Sequence, residues 1–233
     1  MTTRTESITA PDGLTFDGYT VLPASGAGPG VLVMQEIFGV NEYIRDVCHR
    51  LAALGYVAMA PDVYWRIERN VDIGHEPSEM PKAYGYMSSY DWTIGLGDHV
   101  AALEHLRALP ETGGRAAVIG YCFGGGTSFQ LAGAAKPDAV VSYYGSAVPG
   151  LLEKATDVTS PICFHFGAND PYIPGDQIAA VRAWAAGRAG VEFHEYAAGH
   201  AFDNSFSATF SDPAAAAAAW AHTVRFLATH LAP

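Results

Sequence analysis

Six short apolar runs punctuate the chain, at residues 31–34 (VLVM), 56–60 (YVAMA), 116–120 (AAVIG), 139–144 (AVVSYY), 162–166 (ICFHF) and 191–196 (VEFHEY). They are rich in β-branched and aromatic residues and do not alternate strictly with polar ones. Such runs read as strands covered on both faces, the pattern of a parallel sheet. A further pair, near Ile8-Thr9 and from Thr15 to Val21, flanks Pro11-Asp12-Gly13 and reads as an N-terminal hairpin. Helical periodicity fills the intervals. Residues 41–54 open on Asn41 as N-cap, set Ile44, Val47, Leu51 and Leu54 on one stripe, and stop at Gly55. Residues 91–108 begin at Asp91 and carry Ile94, Val100, Leu103 and Leu106, and residues 175–189 carry Ile178, Val181 and Trp184. Residues 213–231 follow Asp212 as N-cap, with Pro213 at the first helical position and the helix-forming alanines 214–219 behind it.

Strand then helix, repeated at least five times, predicts an α/β fold. The expected architecture is one domain over residues 1–233, a mostly parallel, doubly wound sheet with helices on both faces. One interval resists this pattern. Residues 63–90 are long, aromatic-rich and punctuated by Gly74, Pro77 and Pro81, and are read as an active-site loop or lid.

Composition narrows the function classes. Hydrophobic residues make up 49% and charged residues 16% of 233, enough apolar material for a substantial core. The net charge of −11, from 24 acids against 13 bases, argues against nucleic acid and against a membrane surface as partners. The opening MTTRTESITAPDG has no apolar leader, and no run approaches the ~20 residues of a membrane span, so a cytoplasmic protein is expected. The three cysteines, Cys48, Cys122 and Cys163, are too few for a disulfide framework and fit a reducing compartment.

The chemistry centres on Gly120-Tyr121-Cys122-Phe123-Gly124, which ends a predicted strand and opens a predicted helix. This is a nucleophile elbow with cysteine where serine is usual. An isolated cysteine would read as a buried structural thiol; the flanking glycines and the strand–turn–helix setting favour a nucleophile. The Phe123 N–H, at the helix start, is one expected oxyanion donor, and the Ile37 N–H, in the loop after strand 31–34, is the other. In this kind of fold the nucleophile is followed in the chain by an acid and then a histidine. Asp170 and His200 each lie just past a predicted strand, at the same sheet edge as Cys122. The remaining histidines fall within strands, on helices or, for His75, in the long loop. Glu36, with apolar neighbours on both sides, is expected near the thiol as a second local base or a group that keeps the resting thiol protonated. No metal site is expected, since there is no HExxH and Cys163-x-His165 lacks further ligands by spacing. The absence of GxGxxG and GxxxxGK[ST] patterns argues against a nucleotide cofactor.

Gln35-Glu36-Ile37-Phe38-Gly39-Val40-Asn41, Ala60-Pro61-Asp62-Val63-Tyr64, the cysteine elbow with Gly125, Tyr143-Tyr144-Gly145, Asp170 and Gly199-His200-Ala201-Phe202 together resemble the dienelactone hydrolases (carboxymethylenebutenolidases) of the α/β-hydrolase fold. The similarity runs from about residue 5 to about residue 230. The resemblance implies a Cys122–His200–Asp170 triad, Glu36 helping to form the thiolate, an acyl-thioester intermediate and no cofactor. Where that family anchors a substrate carboxylate with two arginines, this chain has Ser78-Glu79-Met80-Pro81-Lys82 and Asn204. Lys82, Arg66 or Arg69 are the available substitutes, and Tyr84, Tyr144 and Asn204 complete the expected substrate contacts. Tyr64, Trp65, Tyr84, Tyr86 and Tyr90 are expected to wall the site with rings and hydroxyls. Two other readings stay open: a carboxylesterase or thioesterase acting on small neutral esters, and a ligand-binding or redox-sensing protein using Cys122. A monomer or weak homodimer with a small-molecule substrate is expected.

Overall fold

The computed structural model describes residues 1–155 and 158–233. Its centre is an eight-stranded sheet: β1 (Thr2–Thr9), β2 (Thr15–Leu22), β3 (Gly30–Met34), β4 (Val57–Pro61), β5 (Ala116–Tyr121), β6 (Val140–Tyr143), β7 (Ile162–Gly167) and β8 (Val191–Tyr196), ordered β1-β2-β4-β3-β5-β6-β7-β8. β1 and β2 form the expected hairpin, antiparallel to each other and, through β2, to β4. The other pairings are parallel. This is the single-domain α/β fold that the pattern of runs predicts.

Successive residues of the central strands serve opposite cores. Val31, Val33, Ala117, Ile119 and Tyr121 pack with α1 (Glu42–Ala53) and α7 (Pro213–His230). Leu32, Met34, Ala116 and Val118 pack on the other face with α2 (Met80–Ser89), α3 (Trp92–Ala108) and α4 (Phe123–Ala134). α5 (Val148–Leu151) and α6 (Gly175–Ala185) extend that second layer over β6 and β7. Among the described residues no helix is long and apolar enough to cross a membrane.

The caps follow from local chemistry. Asn41 accepts the Ile44 N–H at 3.2 Å, Asp91 those of Thr93 and Ile94, and Asp212 those of Ala214 and Ala215. Each satisfies N–H groups that the first helical turn leaves without a partner.

Three expectations need correction. The interval 63–90 is not loop throughout: its last third is α2, with Pro81 in the first turn, where its missing N–H costs nothing. α6 ends at Ala185 rather than 189, and Gly187 follows at φ 76°, in the left-handed region. The stripe predicted for α3 holds at Val100, Leu103 and Leu106, but Ile94 is half exposed and Asp98 and His99 are buried instead. Asp98 is drawn inward because Arg66 Nε and Nη2 (2.7 and 2.8 Å) and Trp65 Nε1 (3.1 Å) all donate to it.

His99 is buried beside the Tyr90 hydroxyl, 2.9 Å from its Nε2. Burial penalises the charged ring and pushes its pKa down to about 3 from an ordinary 6.5. The unfolded chain therefore takes up a proton below pH 6.5 that the folded chain refuses until near pH 3, so stability is lost as pH falls. Unfolding in urea at pH 7 and pH 5 should show a loss to which His99 contributes about 2 kcal/mol. His99→Gln should shrink the pH 7 to pH 5 difference by that amount; an unchanged difference would assign the acid sensitivity elsewhere.

Candidate active site

The site lies where the winding of the sheet changes direction. From β3 the chain leaves through α1 toward β4; from neighbouring β5 it leaves through α4 toward β6, on the opposite face. The loops past the carboxyl ends of β3 and β5 therefore diverge and leave a crevice, where ligands bind in open α/β sheets.

Cys122 stands in that crevice with φ 54° and ψ −113°, a backbone region that non-glycine residues seldom adopt. Two glycines make the turn possible. A Cβ on Gly120 would strike the Gly124 carbonyl oxygen, and one on Gly124 would strike the carbonyl oxygens of Met34 and Gln35. The Phe123 ring locks the start of α4 from below, packing within 4.9–5.0 Å (ring centroids) of Trp92 and Tyr90.

Asp170 and His200 follow β7 and β8. Asp170 Oδ2 lies 2.6 Å from His200 Nδ1, and its Oδ1 accepts the Tyr172 N–H at 2.8 Å, so both carboxylate oxygens are engaged. The loops are tied to one another by the Ala168 N–H on the Tyr196 carbonyl and the Asn169 N–H on the Ala198 carbonyl. Burial acts against a charged His200 ring, but a thiolate at the neighbouring Cys122 and the Asp170 contact would favour it, and the pKa is raised overall. Tyr144 and Tyr172 flank the imidazole, each ring 5.1 Å from it.

Cys122 and His200 open on one cavity of about 210 Å³, with Glu36, Ile37, Phe38, Met80, Tyr84, Met87, Ser146, Tyr172, Ala201 and Phe210 completing its wall. None of these lining residues is lysine or arginine. α2 supplies Met80, Tyr84 and Met87, so the excursion predicted as a lid forms one side of the pocket.

Glu36 is buried, and its Oε2 accepts from Asn204 Nδ2 at 2.8 Å. A residue that the sequence left in the long loop, His75, joins it, with Nε2 2.8 Å from Asn204 Nδ2, 3.3 Å from Asn41 Nδ2 and 3.6 Å from Glu36 Oε2. Both amides have their oxygens committed, Asn204 Oδ1 to the Phe206 N–H and Asn41 Oδ1 to the Ile44 N–H. Each therefore turns its NH₂ toward Nε2 of His75. The nearest donor to Glu36 is thus a neutral amide, not a cation. His75 reaches this point because residues 70–75 pair with the loop after β3, through the Gly39–Asp72 bridge and the Ile73 N–H on the Phe38 carbonyl (2.9 Å). The one sequence signal for this contact was Gly39, which adopts φ 83° and would drive a Cβ into the Val71 carbonyl.

Several expected substrate contacts are corrected. Lys82 points away from the pocket, its side chain 60% exposed and Nζ 3.9 Å from Glu68. Arg66 is held by Asp98 and Asp12, and Arg69 donates to the Thr15 carbonyl, so neither reaches the site. Tyr144 is fully buried against His200, its hydroxyl 3.3 Å from that of Tyr43. Asn204 is buried on Glu36. Tyr64, Trp65 and Tyr86 are core residues, and Tyr90 packs beneath Phe123; of the aromatic wall only Tyr84 borders the cavity. Asp203, which adds a negative charge beside the site, is matched by the Tyr43 hydroxyl (2.9 Å) and Arg50 (3.1 Å).

A model of the dienelactone hydrolase family matches residues 16–231. The chain is 33% identical to carboxymethylenebutenolidase 1 of Cupriavidus pinatubonensis, covering 95% of this chain and 94% of that protein. It is 34% identical to a carboxymethylenebutenolidase of Pseudomonas sp., covering 97% and 95%. The solved structure of a Klebsiella pneumoniae protein assigned as a dienelactone hydrolase superposes with a TM-score of 0.80 at 26% identity, over 98% of this chain and 99% of that one.

Removing the Asp170 charge tests the electrostatics directly. Asp170→Asn should lower the His200 pKa, because the carboxylate favours the imidazolium. The change is read by following the ring resonances against pH; an unmoved titration would mean that Asp170 does not support the charged ring.

Proposed function

The chain belongs to the dienelactone hydrolase family, and from that premise we propose that it hydrolyses a lactone or small carboxylic ester through a Cys122 thiolate and an acyl-thioester intermediate. The observation that carries this reading is the 2.6 Å Asp170–His200 contact, with His200 and Cys122 on the wall of one cavity.

His200 takes the Cys122 proton, and Asp170 holds the imidazole in position and favours its charged form. The thiolate adds to the substrate carbonyl carbon. Its carbonyl oxygen gains the negative charge and takes hydrogen bonds from the N–H groups of Ile37 and Phe123, the latter at the positive end of α4. Collapse expels the enol or alcohol oxygen, which takes the proton from His200, and leaves the acyl group on sulfur. Water, deprotonated by His200, then attacks the thioester; the acid departs and the thiol is restored. Glu36, at the rim of the same cavity, changes the charge around the thiol and acts as a second local base.

The wall of the cavity supports a neutral substrate. A carboxylate there would meet apolar side chains and the Glu36 carboxyl rather than a guanidinium. A missing charge-assisted contact costs about 1.5–3 kcal/mol, or roughly tenfold to more than a hundredfold in binding. Tyr84, Tyr172 and Ser146 offer hydroxyls suited to an uncharged ester or lactone.

Two measurements test the proposal. Cys122→Ala should lose at least about a hundredfold in kcat/KM, and rapid quenching of the parent enzyme should show the substrate's acyl mass on the peptide containing Cys122. Full activity in the variant would remove Cys122 from the reaction. A carboxylated lactone and its methyl ester, compared at low and high salt, should show the ester used as well or better, with little salt effect. A strong preference for the free acid that weakens with salt would overturn the neutral-substrate reading.

A further inference from the structure

A second cluster of metal-ligating side chains lies away from the cavity, under α7. β7 and β8 pair in parallel with Cys163 opposite Glu192 and His165 opposite His194, so all four side chains emerge on one face of the sheet. The Cys163 sulfur, a Glu192 carboxylate oxygen and a His194 ring nitrogen lie within 4.8 Å of one another. His222 of α7 lies against His194 with ring centroids 3.9 Å apart and the rings tilted by 33°. Along its own strand the Cys163–x–His165 spacing lacks further ligands. The neighbouring strand supplies them at the same register, a pairing that spacing along one strand does not reveal.

We propose that Cys163, Glu192 and His194 bind a single divalent transition-metal ion, zinc by preference. Thiolate, imidazole and carboxylate are the donors that tetrahedral zinc takes, and the softness of sulfur disfavours magnesium or calcium. Three protein ligands leave a fourth position, which faces solvent: the side chains of His194 and Glu192 are 21% and 36% exposed. His165 supports the sulfur, with its Nε2 3.4 Å from Sγ and its Nδ1 2.9 Å from the Tyr196 hydroxyl. An outer partner of this kind orients and polarises a metal ligand.

Two contacts must yield. Glu192 Oε2 is 2.9 Å from His194 Nε2 and 3.1 Å from Arg225 Nη2, and Arg225 also contacts His222 Nδ1. The ion replaces the proton shared by His194 and Glu192, and the Cys163 thiol proton passes to solvent. Arg225, whose side chain is 59% exposed, is free to swing outward. The cluster sits toward the amino end of β7, whereas Asp170 follows the carboxyl end of that strand, so an ion there leaves the hydrolytic site untouched. Its mechanical effect is to pin β8 to β7.

The test uses the full chain carrying Cys122→Ser, which removes the partly exposed thiol of the hydrolytic cavity. Metal-free protein titrated with cobalt(II) should take up one equivalent with a near-ultraviolet thiolate-to-cobalt band, and zinc should bleach it. Adding Cys163→Ser should abolish the band, and adding His194→Gln, a change at a partly exposed position, should weaken binding at least tenfold while circular dichroism stays the same. With Cys122 intact, Cys163→Ser should hydrolyse esters at the parent rate. No band in the Cys122→Ser protein, or a band that survives Cys163→Ser, overturns the proposal. So does unchanged affinity in His194→Gln.

Discussion

The site depends on one steric fact: the first turn of α4 lies against the end of β3 with no side chain between them. Gly124 meets the carbonyls of Met34 and Gln35, and Gly120 meets the carbonyl of Gly124, at distances that a single methyl group would forbid. This contact sets how far Cys122 stands from the loop that carries Glu36, Ile37 and Phe38. It also aims the helix N–H groups into the crevice instead of into the core. The strained backbone at Cys122 is tolerated because strand, helix and the aromatic packing of Phe123 fix the residues on either side.

Around this turn the molecule buries several acids and gives each a different partner. Asp170 has a histidine and a backbone N–H, Asp203 a tyrosine hydroxyl and an arginine, and Asp98 an arginine and an indole. Among the described residues, two carboxylate oxygens of these acids have no hydrogen-bond partner: Asp203 Oδ1, and Oε1 of Glu36, whose other oxygen has only an amide. A buried carboxylate oxygen left without a donor is costly, and such a cost is commonly carried where function needs it. Of these acids Glu36 alone lines the cavity beside Cys122, and it does so with a neutral amide as its hydrogen-bond donor.

The parts legible in the sequence were those written in local chemistry. Apolar runs located the strands, Asn41, Asp91 and Asp212 announced helix starts, and the two elbow glycines marked the tight turn that holds Cys122. Chain order then selected Asp170 and His200 from many acids and histidines. What escaped were relations across the chain. His75 sits beside Asn204 through a loop pairing that no short-range pattern encodes. Pro81 punctuates an irregular interval in the sequence yet sits in the first turn of α2, because proline stops a helix from within but suits its first turn. Lys82 and Arg66 looked available as anchors because sequence gives a charge without its direction; Glu68, Asp98 and Asp12 had already claimed them. Cys163 and His194 lie on different strands, and only the register brings them face to face.

One asymmetry of the sheet bears on how the enzyme would fail. Cys122 follows β5, a strand paired on both sides and buried along its length, whereas His200 follows β8, an edge strand, which has a neighbour on one side only and faces that are half covered. Opening free energies are lowest at such margins and highest in the middle of a sheet. On warming, the outer strand can peel back and carry the imidazole away from Asp170 while β3 and β5 keep the elbow intact. Inactivation would then precede unfolding and reverse on cooling, so that the temperature ceiling for turnover is set by the fraying of one edge, below the melting of the whole.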